Sequence, residues 1–126
     1  MASHGIVHFE IPAQDVAASG QFYTDVFGWQ QNADNAFHYL QLAPAERPGG
    51  AIVQAGQEMA GMPVPTIGQI LMYIYSDDID ASLEQIRAHG GQVIVPQNEI
   101  PQTGWFAIFR DPAGNQMALF KPMSQD

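Results

Sequence analysis

Cysteine is absent from all 126 residues, so a disulfide framework, a thiolate metal site and a cysteine nucleophile are excluded together. Stability has to come from packing, and with 46% apolar residues one domain of ordinary size can close a core. Basic residues are nearly as scarce: Arg47, Arg87, Arg110 and Lys121 stand against thirteen carboxylates, giving a formal net charge of -9. Such a field repels anionic polymers, so no nucleic acid and no membrane partner is expected, and a neutral or cationic small molecule is favoured as ligand. Also missing are the run of roughly 18 apolar residues that spans a bilayer and the basic-then-apolar opening of a secretory signal. A cytoplasmic location is the resulting expectation.

What is present is a strand-helix-strand pattern that occurs twice. In residues 6–11, Val7, Phe9 and Ile11 alternate with His8 and Glu10, the period of a strand with one face on a core and with His8 and Glu10 together on the other. Asp15 is a suitable N-cap, and Val16, Tyr23, Val26 and Phe27 then recur at helical spacing until Gly28 supplies a stop. Short strands are predicted at 29–32, 37–42 and 51–54. Residues 56–68, with three Gly, two Pro and two Met and no periodicity, read as a linker. The pattern then restarts with a strand at 70–75, a helix capped by Asp78 with Ile79, Leu83 and Ile86 on one face, and a stop at Gly90-Gly91. Strands at 92–95, 105–109 and 116–120 follow, the last two joined through the turn Asp111-Pro112-Ala113-Gly114.

Asp15-Val16-Ala17-Ala18-Ser19 matches Asp78-Ile79-Asp80-Ala81-Ser82 at an offset of 63 residues, and Gly28 falls on Gly91 in the same register. The chain is therefore read as one α+β domain over 1–126: a first βαβββ unit at 5–55, a linker at 56–68 and a second unit at 69–122. Val7, Phe9, Ile11, Val16, Tyr23, Val26, Phe27, Ile70, Met72, Ile74, Ile79, Leu83, Ile86, Met117 and Leu119 are the expected helix-side core. Tyr73 and Tyr75 share a face with Leu71, as Phe120 does with Ala118, and these residues are expected to line a ligand cavity. Which face of the strand at 105–109 joins them is open.

The opening VHFEIPAQDVAASGQFYTDVFGWQ and the closing GWFAIFRDPAGNQMALF carry a family resemblance. With the duplicated layout, the chain resembles the vicinal oxygen chelate superfamily, which includes glyoxalase I, bleomycin-resistance proteins and extradiol dioxygenases. That resemblance implies two tandem βαβββ units forming curved mixed sheets with helices on the outer face, and commonly a homodimer. It also implies a divalent metal held from the first and last strands of each unit. His8 matches the first ligand position, whereas Leu71 stands at its counterpart 63 residues on and Ala118 where the family's glutamate follows the turn aspartate. Aligning Gly50 with Gly114 puts Gln54 at the remaining position. His8 and Gln54 are thus the only matching metal candidates, too few for a catalytic ion, and no cofactor is expected.

Three functions compete. A ligand-binding protein with a degenerate metal site resembles the family's drug-sequestering members and predicts binding without turnover. An enzyme of lyase, isomerase or dioxygenase type would use His8 as metal ligand or as general base beside Glu10. A partner-binding subunit would have its cavity filled by side chains. His4, four residues before His8 on an extended segment, lacks the helical geometry of a metal pair, and His38 and His89 read as surface residues. Asp77, Asp78 and Asp80 are accounted for by helix capping.

Overall fold

The computed structural model describes residues 4–32, 38–41, 49–57 and 63–123. The elements in chain order are β1 (Ile6–Ala13), α1 (Val16–Phe27), β2 (Gln30–Asn32), β3 (His38–Gln41), β4 (Gly49–Gln54), β5 (Leu71–Tyr75), α2 (Ile79–Ala88), β6 (Gln92–Ile100), β7 (Gly104–Arg110) and β8 (Gln116–Pro122). The order βαβββ occurs twice, in an α+β fold. Both helices begin as their caps dictate: the Asp15 carboxylate accepts from Ala18 N and that of Asp78 from Ala81 N, each at 3.0 Å. Gly28 ends α1 in the left-handed conformation at φ 75°, where a Cβ would be strained. Among the described residues no helix is long and apolar enough to cross a membrane.

The chain divides into two compact units, His8–Leu71 and a second that joins Met1–Val7 to Met72–Asp126. The boundary differs from the expected one in giving the first stretch of chain to the C-terminal unit. The reason is hydrogen bonding: Tyr75 N donates to Gly5 O and His4 Nδ1 bonds Tyr75 O, both at 2.8 Å.

In the N-terminal unit the strand order is β2-β3-β4-β1, with β1 and β4 parallel and the other pairs antiparallel. Ala13 and Ile52 are buried, and Ile11, Val16, Tyr23 and Trp29 pack against them. Phe9 lies across Gly50, where an added Cβ would collide with the ring. Trp29 stacks on Tyr23 with centroids 5.2 Å apart and sits 6.0 Å from Phe9.

In the C-terminal unit the order is β5-β8-β7-β6, with β5 and β8 parallel and the rest antiparallel. Ile79 and Leu83 of α2 meet Ala107, Phe109 and Leu119, with Ile74, Ile86, Val93, Trp105 and Met117 at the margin. Buried Ser76 is satisfied by Ser82, its Oγ 2.7 Å from that of its partner.

Several expectations are corrected. Val26, Phe27 and Ile70 are 55%, 57% and 50% exposed rather than in the core. Val26 lies roughly 80° around the helix from Val16 and so leaves the core stripe. Phe27, at the last turn of α1, stacks on Tyr23 at 6.3 Å but stays mostly exposed, and Ile70 precedes β5, which begins at Leu71. Strand β6 runs to Ile100 instead of stopping at Val95, because register irregularities between Val93 and Asn98 accommodate Pro96. A proline is tolerated there since β6 is the outermost strand of its unit's order. The ends of the strand expected at 37–42 lie outside the described residues.

Candidate functional site

Each helix covers one face of its unit's sheet, and strand parity decides what the opposite face offers. In β1, Ile11 and Ala13 belong to the α1 side, so His8, Glu10 and Pro12 face away from it. His8 Nε2 is 3.8 Å from Glu10 Oε2, and the two side chains keep 26% and 20% of their surface accessible. A base and a carboxylate thus stand side by side on one strand, as their spacing of two residues requires.

Gln54 does not join them. The parallel register pairs Ile11 with Ile52 and Ala13 with Gln54, which puts Gln54 on the α1 side. Its amide Nε2 donates to Ala13 O at 3.3 Å and Gln14 O at 2.9 Å, so it fastens the end of β4 to the chain after β1. The position equivalent to Ala118 follows from register: Glu10 pairs with Ala51 as Tyr73 pairs with Ala118, and Ile11 with Ile52 as Ile74 with Leu119. Ala51, 67 residues before Ala118, is the counterpart, and it too lacks a donor atom.

The C-terminal unit's face away from α2 is built in cross-strand rows. Val95, Ile108, Ala118 and Tyr73 form the central row. Ala118 has no accessible surface, Ile108 1% and Tyr73 6%. The next row holds Asn98, Phe106, Phe120 and Tyr75, of which the three aromatic residues are half-buried. On the other side of the central row stand Gln92, Arg110 and Gln116, and Arg110 Nη2 donates to Gln116 Oε1 at 3.4 Å. The open question about β7 is thereby answered: Trp105, Ala107 and Phe109 turn to α2, and Phe106, Ile108 and Arg110 to the other face.

Sequence patterning alone does not assign Phe106, Arg110 and Gln116 to the site face. The hairpin could have located them, since a turn closed between Asp111 and Asn115 sets Arg110 opposite Gln116, in step with Ala118. The expected preference for a neutral or cationic ligand rests on the chain's net charge of -9, whereas locally Arg110 sets a cation on this face. Asp111 itself serves the turn. The backbone N–H of Asn115, with further bonds from the Asn115 side chain and the Ala113 and Gly114 backbone, holds its carboxyl below the ordinary aspartate range.

The donor set does not fit the metal that the fold implies. Of His8, Ala51, Leu71 and Ala118, only His8 has a lone pair to give. Among the described residues there is no group of three or more His, Cys, Asp or Glu side chains able to hold a metal ion. The remaining histidines with described partners are engaged elsewhere: His89 Nδ1 bonds Gln85 O at 2.9 Å at the end of α2, and His4 bonds Tyr75 O.

Two βαβββ units, one with a polar strand face and the other with an aromatic one, define a glyoxalase-like fold class. The family model of the Glyoxalase/Bleomycin resistance protein/Dioxygenase superfamily matches residues 5–119, and the chain belongs to that superfamily. It is 31% identical to a glyoxylase-like domain-containing protein of Didymella fabae over 94% of this chain and 95% of that one. It is 30% identical to the anthracycline biosynthesis protein DnrV of Streptomyces peucetius over 90% of this chain, but spans only 45% of that protein's length. Its fold is shared with methylmalonyl-CoA epimerase of Mycobacterium tuberculosis, with a TM-score of 0.66 at 18% identity, covering 99% of this chain and 94% of that one.

Proposed function

We propose that this chain is a small-molecule-binding member of the superfamily that works without the family's metal centre and holds an aromatic ligand against the half-buried aromatic row on the C-terminal unit's sheet face away from α2. The observation that carries the reading is a substitution of chemistry: Ala51, Leu71 and Ala118 stand where donors would, while Tyr75, Phe106 and Phe120 form a half-buried aromatic row. Such a row offers apolar contact and ring stacking to a planar ligand. DnrV, a relative named for anthracycline biosynthesis, supports a polycyclic aromatic as the ligand class. The cytoplasm is the proposed location and a homodimer the proposed assembly. Pairing is supported by relatives of about twice the length, in which one chain has room for two such domains.

The test is elemental analysis of the purified protein together with calorimetric titration of planar aromatic probes. Substoichiometric metal and saturable binding that EDTA leaves intact are expected. One tightly held divalent ion per chain, lost in His8→Ala, would overturn the reading.

A second reading is favoured by one observation, the 3.8 Å approach of His8 and Glu10 on a partly accessible strand face. It makes the protein a metal-independent enzyme with His8 as general base, in which Glu10 accepts a hydrogen bond from the imidazolium formed. A pH-dependent turnover abolished in His8→Ala but only reduced in Glu10→Gln would establish it.

A further inference from the structure

We infer that the row Gln92-Arg110-Gln116 recognises an oxygen anion on the ligand, so that this acidic protein selects carboxylates over amines. The inference rests on the ligand-binding reading above and names the polar end of that ligand. Three adjacent strands contribute one long polar side chain each, in direct register on the face away from α2. Together they offer the planar fork of a guanidinium and two amide N–H₂ groups, the donor set that a carboxylate takes in bidentate fashion.

Charge in the neighbourhood points the same way. None of the paired positions on this face, from Gln92 and Arg110 to Tyr75 and Phe120, is Asp or Glu. Glu99 pairs with Trp105 and therefore belongs to the α2 side. Among the described residues the other two cations are occupied: Arg87 faces Glu84 at 3.8 Å, and Lys121 lies 5.7 Å over the Trp105 ring on the α2 side. Among the described residues Arg110 has the neutral Gln116 amide, at a long 3.4 Å, and no carboxylate within ion-pair distance. In a chain with thirteen carboxylates and four basic residues, a cation set on an acid-free sheet face is a local inversion of the protein's field. A ligand anion reaching it gains charge-assisted hydrogen bonds that an amine of the same shape cannot make.

Three probes of one shape separate the outcomes: 2-naphthoate, 2-naphthamide and 2-naphthylmethylamine, titrated calorimetrically into the full chain. The naphthoate should bind about tenfold more tightly than the amide, equivalent to about 1.4 kcal/mol, with the amine weakest. In Arg110→Gln the ratio of naphthoate to amide affinity should fall to about one, and Arg110→Lys should restore part of it, having the charge without the fork. Arg87→Gln, which removes the same charge from α2, should keep the full ratio, and circular dichroism checks that each variant is folded. A ratio that survives Arg110→Gln, or an amine that binds most tightly to the parent, overturns this inference and leaves the ligand-binding reading standing. Failure of all three probes to bind overturns both.

Discussion

Replacing Ala118 by glutamate would put back the residue type that the metal-binding relatives implied by the fold have at this position. The structure argues that the protein can no longer accept it. Ala118 has no accessible surface, and its row neighbours Ile108 and Tyr73 are 1% and 6% exposed. A longer side chain overpacks the row at about 1–3 kcal/mol, and an unpaired carboxylate in such a place adds about 3 kcal/mol or more. A domain of this size has about 5–15 kcal/mol to lose, so Ala118→Glu should remain folded at best marginally. Urea denaturation followed by tyrosine fluorescence and far-ultraviolet dichroism reads the loss as a fall in midpoint. The loss should grow with pH: burial raises the folded-state pKa of the introduced carboxyl, so the neutral form tolerated at low pH gives way to a charged one as pH rises past the ordinary glutamate range. Ala118→Ser, nearly isosteric, should lose far less. The reasoning is refuted if Ala118→Glu is as stable as the parent at neutral pH, or if zinc or nickel restores its midpoint, since either result means that a donor is welcome there.

The remaining predictions concern the scaffold. Leu83→Ala, at a site 3% exposed under the C-terminal sheet, should lower stability by about 3 kcal/mol in chemical denaturation, whereas Val26→Ala, 55% exposed, should shift it by no more than about 0.5 kcal/mol. Gly50→Ala should cost about 1–3 kcal/mol in the same assay because its Cβ would meet the Phe9 ring, and the double variant with Phe9→Leu should recover part of the loss. Asp111 has a lowered folded-state pKa, so its stabilisation is complete above the ordinary aspartate value and disappears as pH falls through the lower folded value. The difference in melting temperature between the parent and Asp111→Ala should therefore narrow on acidification through that window.

Much of the architecture was legible because its signals are local. An aspartate that caps a helix and a glycine that ends one act within a turn of chain, and both α1 and α2 start where Asp15 and Asp78 place them. Alternation in β1 and β5 needed only the period of two, which put His8 beside Glu10 and Tyr73 opposite Ile74. The failures came where long-range pairing decides. Aligning Gly50 with Gly114 matches Gln54 to Ala118, but the registers of β1 with β4 and of β5 with β8 select Ala51 and turn Gln54 to the other face. In β7 the aromatics Trp105, Phe106 and Phe109 occupy both faces, so hydrophobicity cannot tell them apart, and the face taken by Arg110 stays open in the sequence. Val26 and Phe27 satisfied helical spacing, yet Trp29, outside the helix, had the better packing position. Pro96 hid the second half of β6 because proline normally ends a strand that is not an edge.

The central claim is that an aromatic ligand occupies the aromatic row on the C-terminal unit's face away from α2 with no help from a metal. The most direct measurement is nuclear magnetic resonance titration of the protein with 2-naphthoate, as purified and after EDTA dialysis, following the ring signals of tyrosine and phenylalanine and the arginine side-chain signals. The account predicts saturable shifts concentrated at Tyr75, Phe106, Phe120 and the Arg110 side chain, with the same dissociation constant before and after EDTA treatment. Shifts that appear only when zinc, nickel or manganese is added, and that centre on His8, would contradict it.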